Sequence, residues 1–358
     1  MEWAFVTVLL PAPTTERATD LAGVRTDVVV RCDRNESAYP PLPAVVSALR
    51  DTAASAHRYP SFRPDGLRAT IAEHTGVEAA HISVGAGATA VLSAILQDSA
   101  ARARARGRTG PRIVTPAPTF EGFALLAEMI GLGIGITPLL DDGRPDVGAL
   151  AAAAGSDTAA VIVCSPHNPT GSVLSDTEIR DLLMAVDPAI PVILDQAYVE
   201  YCRNAPDVRT LVDEYPNLIV VRSLSKAHGL AGLRVGYAIG SATSIGGARR
   251  HEVPFSITAA AEHAAPVALA ASDELAGRVT AMRRERDRIA DALRDSGHPA
   301  LPSEANFVFV PGPDGIEFGR RLRAAGVVGR EFAEHGHRLT VPDRAGTDRL
   351  IEAIRRAR

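Results

Sequence analysis

A lysine in an uncommon setting stands at position 226, in the run Arg222-Ser223-Leu224-Ser225-Lys226-Ala227-His228-Gly229-Leu230-Ala231-Gly232-Leu233-Arg234-Val235-Gly236. Lysine ordinarily occupies an exposed helix face. Here it lies just beyond a short β-branched stretch, between small hydroxyl residues and three glycines, with Arg234 eight residues on. Such an amine is suited to forming a Schiff base with a carbonyl, while hydroxyls, backbone N–H groups and the guanidinium hold a phosphate. Ser-x-x-Lys alone is a weak signal; the whole run is far more specific.

Leu194-Asp195-Gln196-Ala197-Tyr198 closes an apolar strand, and strand carboxyl ends are where α/β sheets place their ligands. A carboxylate buried there needs a cation. A pyridinium nitrogen is such a cation, and an Asp partner keeps that ring protonated as an electron sink. Helix capping is the plainer reading of Asp195. Tyr198 is spaced to donate to a phenolate oxygen on the same ring. In Ser165-Pro166-His167-Asn168-Pro169-Thr170-Gly171, two prolines and a glycine fix an irregular turn, and the Asn168 amide points to the same oxygen. Val84-Gly85-Ala86-Gly87-Ala88-Thr89-Ala90 breaks from strand to glycine turn to helix, a start whose N–H groups bind phosphate. A dinucleotide fingerprint is the rival, but Ala90 occupies the place of its third glycine and the nearest downstream acid, Asp98, falls inside the helix. Phe120 follows the next strand, where its ring either stacks on a bound ring or packs in the core.

Elements must position these residues. From about Thr52 to Ala248, short β-branched runs (82–84, 113–115, 161–163, 192–194, 219–221 and 235–237) alternate with Ala/Leu-rich helical stretches. Continuous apolar runs suit strands covered on both faces, which predicts an α/β fold with a mostly parallel central sheet between helix layers. After Pro254 the texture changes. A helical stretch over 258–296 precedes a strand (306–310), a helix (315–325), a strand (338–341) and a last helix (347–357), the pattern of a smaller α+β domain. The expected division is an N-terminal arm over 1–30, a large domain over 52–251, and a small domain made of 31–51 and 252–358.

Composition narrows the class. A chain of 358 residues, 46% hydrophobic and 22% charged, is ordinary for a globular α/β protein of more than one core. A net charge of −4 without a basic block argues against nucleic acid, and Arg102 to Arg108 read as a solvated helix face. Cys32, Cys164 and Cys202 are too scattered for a disulfide framework or a zinc site, which fits a reducing cytoplasm and no metal. Glu2 stands where a signal peptide needs basic charge, and no apolar segment approaches the ~20 residues that span a membrane.

Together these residues resemble the fold type I aminotransferases of class I/II, which use pyridoxal 5′-phosphate (PLP), and within them the branch that contains histidinol-phosphate aminotransferase. The resemblance runs from about Asp33 to the C-terminus. It is carried by Asn35-Glu36-Ser37-Ala38-Tyr39, by Arg58-Tyr59-Pro60 with Gly66-Leu67-Arg68, by Asn168-Pro169-Thr170-Gly171, by Asp195-x-Ala197-Tyr198, and by Ser223-x-Ser225-Lys226 through Arg234. It implies that Lys226 bonds PLP and then shuttles the proton, that Asp195 holds the pyridinium nitrogen, and that Asn168 and Tyr198 bind the ring oxygen. Ala88, Thr89, Ser223, Ser225 and Arg234 would hold the phosphate, with Phe120 stacked on the ring. Tyr59 and Tyr39 would come from the partner of a homodimer, and Arg338 and Arg330 would bind the anionic end of the substrate. The implied reaction moves an amino group between a small-molecule donor, an amino acid or a histidinol-phosphate-like amine, and a 2-oxo acid. Decarboxylation of the threonine-phosphate decarboxylase type, or a non-catalytic binding protein of this fold, are the alternatives. The chain departs from the branch at Phe120 (usually tyrosine), at Ala86, Ala88 and Thr89 (usually Asn, Ser and Asp), at His228 (usually aromatic), at Glu331 (usually proline) and at Pro342 (usually glycine). These departures imply altered substrate specificity. His228 itself reads as a neutral packing residue.

Overall fold

The computed structural model describes residues 29–357. The arm expected at the N-terminus lies, apart from its last two residues, outside them. Seven strands form the large sheet: β2 (Ile82–Ala86), β3 (Arg112–Pro116), β4 (Gly133–Thr137), β5 (Thr158–Cys164), β6 (Val192–Asp195), β7 (Leu218–Ser223) and β8 (Val235–Gly240). Their order is β2-β8-β7-β6-β5-β3-β4; β8 runs antiparallel to both neighbours and the other pairings are parallel. The mostly parallel sheet is therefore as expected. Six of its strands sit at the predicted runs. β4, the seventh, is not foreshadowed in the sequence, because Gly-Ile-Gly-Ile-Thr interrupts the apolar pattern with residues that weaken strands.

Helices cover both faces. The sheet's side chains alternate between them, so Val161, Val163, Val192, Leu194 and Val220 belong to one core, while Ile162, Ile193, Ile219 and Val221 belong to the other. The first core is closed by α1 (Pro43–Ala53), α2 (Asp65–Thr75), α5 (Val147–Ala153), α6 (Asp176–Ala185), α7 (Val208–Glu214) and α9 (Ala259–Ala270). The second is closed by α3 (Ala88–Ala105), α4 (Gly122–Ile130) and α8 (Ala242–Arg249).

The predicted 258–296 helix is two helices. Ala271 (φ −87°, ψ 52°) separates α9 from α10 (Ser272–Asp295). The break lets the two serve different cores. α9 buries Ala261, Ala264, Ala268 and Leu269 against the large-sheet core, whereas α10 directs Val279, Met282, Ile289 and Leu293 into a third. α1, also placed by sequence outside the large domain, likewise buries Val45 in the sheet core. The third core lies under an antiparallel sheet of order β11-β12-β9, formed by β9 (Phe307–Pro311), β11 (Arg330–Phe332) and β12 (Gly336–Thr340). It is completed by α11 (Gly312–Ala324), α12 (Arg344–Arg356) and the short parallel pair β1 (Val30–Arg31) and β10 (Val327–Val328). Tyr198 and Ala227 from the large sheet's loops belong to this core too, so it bears directly on the site.

Candidate active site

β5 and β6 run parallel and in register, so Cys164 and Asp195 lie side by side at the carboxyl edge of the sheet. Ser223 ends β7 next to them. The loops that follow carry Asn168, Tyr198, Ser225 and Lys226, and α3 starts opposite. The resulting cavity, of about 270 Å³, is lined by Ala88, Thr89, Phe120, Asn168, Asp195, Tyr198, Ser223, Ser225, Lys226 and Arg234. Residues more than a hundred positions apart in sequence converge there because parallel strands place all their carboxyl ends on one edge.

At one end sits an acid. Asp195 is buried and accepts a hydrogen bond from the Ala197 N–H at 3.0 Å. Burial pushes its carboxyl up to about 6, against the lowering effects of that hydrogen bond and of Lys226. At the other end is an anion cradle. Gly87 (φ 82°) precedes α3, leaving the N–H groups of Ala88 and Thr89 without intrahelical acceptors. Arg234, itself in the left-handed region at φ 55°, donates to the Ser225 hydroxyl at 3.4 Å, and the Ser223 hydroxyl accepts from the Ser225 N–H at 3.1 Å. Both glycines here are forced. A Cβ at Gly87 would fall 2.1 Å from the Arg234 guanidinium, and one at Gly236 would fall 2.2 Å from the Ala88 nitrogen.

Lys226 stands between the two ends. Its Nζ lies 5.6 Å from the centroid of the Tyr198 ring and donates to the Arg34 carbonyl at 3.5 Å. Burial, reinforced by the Arg338 charge, lowers its ammonium to about 8, despite Glu36 and Asp195 nearby. Tyr198 packs edge-on against Phe307 at 5.1 Å, and its oxygen accepts from the Asn35 amide at 3.0 Å. That leaves the tyrosine's own hydrogen to donate elsewhere. Arg338, buried on β12, donates to the Asn168 Oδ1 and to the Asp33 carbonyl, the latter at 2.8 Å, while its Nε has no hydrogen-bond partner.

Most of the expected site residues thus converge, and four do not line the cavity: Arg338, which is joined to it through Asn168, and Arg330, Tyr39 and Tyr59. Arg330 lies at its side, paired with Glu121. Tyr39 stands beside Arg278, whose guanidinium carbon is 5.8 Å from the ring centroid. Tyr59 is 86% exposed and touches only Phe255 among rings. Arg34, Leu92, Cys164 and Ala231 line the cavity although the sequence does not single them out, since nothing in their residue types marks them. Burial pushes the Cys164 thiol well up, so it is an inert wall rather than a nucleophile. His228 is buried and lowered to about 4 by burial and then by His74, the neutral packing residue expected.

The residues present fit a phosphorylated pyridine: the cradle would suit its phosphate, the lysine its carbonyl carbon, and the buried carboxylate its ring nitrogen. Fold and site together define the PLP-dependent enzymes of fold type I. Residues 28–354 match the family described as aminotransferase class I and II, and the chain belongs to it. It is 37% identical over 331 residues to an aromatic amino acid aminotransferase of Cutibacterium acnes, covering 92% of each chain. It is 38% identical over 323 residues to one of Rhodococcus opacus, covering 90% of this chain and 88% of the relative. Among solved structures, a histidinol-phosphate aminotransferase of Sinorhizobium meliloti in complex with pyridoxal-5′-phosphate superimposes with a TM-score of 0.81 at 28% identity, covering 92% of each chain. A histidinol-phosphate aminotransferase-like protein of Erwinia carotovora gives 0.82 at 25% identity, covering 92% of this chain and 95% of the other. The chain is a PLP-dependent aminotransferase. Among the described residues, no helix is long and apolar enough to cross a membrane and no His/Cys/Asp/Glu cluster could hold a metal ion.

Proposed function

We propose that this aminotransferase bonds PLP through Lys226 and exchanges amino groups between an amino acid with an apolar, aromatic side chain and a 2-oxo acid. The observation that carries the reading is a desolvated lysine set between a buried carboxylate and a phosphate cradle in one cavity. The aromatic substrate is supported by what the relatives spanning nine-tenths of the chain are named, and by the Leu92 and Phe120 walls of the cavity. A histidinol-phosphate-like amine is the second reading, supported by the neighbours in fold.

When bound, PLP supplies an electron sink that stabilises the carbanion left by proton removal. The chain's residues do the rest. Asp195 would hold the ring nitrogen and keep it protonated. Tyr198 and Asn168 would bind the ring oxygen, the tyrosine held by Asn35 and the amide by Arg338. Ala88, Thr89, Ser223, Ser225 and Arg234 would hold the phosphate, and Phe120 would pack on the ring. Lys226, with its ammonium lowered to about 8, has about a tenth of its amine neutral at pH 7, which suits Nζ to bond the cofactor and to carry a proton to and from the substrate carbon. Arg338 offers its guanidinium to the substrate carboxylate. Tyr59, Phe62 and Phe255 form an exposed aromatic patch that suits a homodimer, through which Tyr59 and Tyr39 would complete the partner's site. Three free cysteines accord with a cytoplasmic setting.

The test is a single turnover of PLP-loaded protein with phenylalanine, followed by the loss of the bound-cofactor absorption band and the appearance of phenylpyruvate. Lys226→Ala should abolish both the band and turnover. Release of carbon dioxide in place of an oxo acid would sink the aminotransferase mechanism for this substrate, and conversion of histidinol phosphate but not phenylalanine would transfer the assignment to the second reading.

A further inference from the structure

Glu121 and Arg330 meet beside the cavity. Glu121 follows Phe120 and immediately precedes α4 without a side-chain cap hydrogen bond, Arg330 opens β11, and Arg330 Nη2 lies 3.2 Å from Glu121 Oε1. The pair joins the large sheet's layer to the small sheet. Arg330 is also the direct cross-strand partner of Arg338 in the antiparallel β11–β12 ladder. Two guanidinium groups opposite one another on adjacent strands repel, and the electrostatic surroundings of Arg338 contain both Arg330 and Glu121. Arg338, Arg330 and Glu121 thus form a cluster of two cations and one carboxylate, and the Asp33 carboxylate also acts on Arg338.

Resting on the aminotransferase reading above, we propose that Glu121 sets the charge class of the substrate by holding Arg330 in an ion pair. A substrate with one carboxylate and an uncharged side chain binds with the pair closed, using Arg338 alone. A dicarboxylate or a phosphate ester must open the pair, detach Arg330, and bring a second anion close to Glu121. Discrimination thus comes from an interaction that must be broken as well as from one that is made. Glu121 acts here as a positioning residue, since it works through Arg330.

Two unreactive analogues test this by isothermal titration of the PLP-loaded full chain: 3-phenylpropionate, with one carboxylate, and glutarate, with two. Glu121→Gln is expected to tighten glutarate about fivefold and 3-phenylpropionate by less than about twofold, the size appropriate to a partly exposed pair. Adding Arg330→Met to Glu121→Gln should return glutarate to its wild-type affinity. Equal tightening of both analogues, unchanged glutarate affinity in Glu121→Gln, or a glutarate gain that survives loss of Arg330 would each overturn the proposal. Neither analogue reacts, so failure of phenylalanine turnover would count against the function proposed above and leave this binding result to stand or fall by itself.

Discussion

Burial moves the pKa values of both Asp195 and Lys226 toward neutral pH, one raised to about 6 and the other lowered to about 8. Neither shift stabilises the fold by itself. A carboxyl whose folded pKa exceeds its ordinary 3.8 stabilises the fold only while protonated, so that contribution is present below about pH 4 and lost as pH rises through 6. Asp195→Asn should therefore raise the melting temperature of the PLP-free protein at pH 7 to 8, with the gap to wild type closing as pH falls toward 4. The same variant should lower transamination roughly hundredfold or more, because the ring nitrogen loses its ionic partner. Melting curves and turnover measured on one preparation check both. A melting temperature unchanged at pH 7 to 8 would mean that the buried carboxylate already finds a cation in the protein. The charge at this position serves the site at the expense of the fold.

At the scale of elements, the proposed phosphate cradle depends on backbone approach as well as on side chains. β8 and the start of α3 come so close at Gly236 that any Cβ would overlap the Ala88 nitrogen. Gly236→Ala should cost about 1–3 kcal/mol of stability through overpacking, read from urea denaturation, and should weaken PLP binding by displacing the N–H groups of Ala88 and Thr89. A Cβ at Gly232 would meet nothing within 4 Å, so Gly232→Ala is the control that should change neither. Equal effects from the two alanines would place the phosphate grip elsewhere. The strained φ of 55° at Arg234 belongs to the same device, since it turns the guanidinium back across Gly87.

For the whole molecule, the three-ring cluster matters most. Tyr59 and Phe62 flank Phe255 with ring centroids 5.1 and 5.0 Å away, and all three are largely exposed, with Val253 67% exposed beside them. A contiguous apolar surface of this kind is costly to leave in water. Phe255→Asp should convert the proposed dimer to a monomer in analytical ultracentrifugation and reduce specific activity. A single species at wild-type mass would remove the basis for shared active sites. Tyr59 would then be a surface aromatic with no part in the site.

The sequence by itself determined the chemistry and the sheet. Lys226, Asp195 and Asn168 were legible because each is a polar residue at or just beyond the end of a continuous apolar strand, where burial is expensive without a purpose, and Arg234 was legible from its spacing to Lys226. The strands were legible because two-sided burial demands unbroken β-branched runs. Tertiary structure alone decided what depends on contacts between distant segments. It ended one helical stretch at Ala271 and gave the halves to different cores, and it recruited β4 despite its glycines, since pairing with β3 supplied what its residues lack. It also set Glu121 against Arg330, 209 positions apart in sequence. Local periodicity reports which face of an element is buried; it carries no information on which other element will cover that face, and the Glu121–Arg330 pair arises from such a pairing.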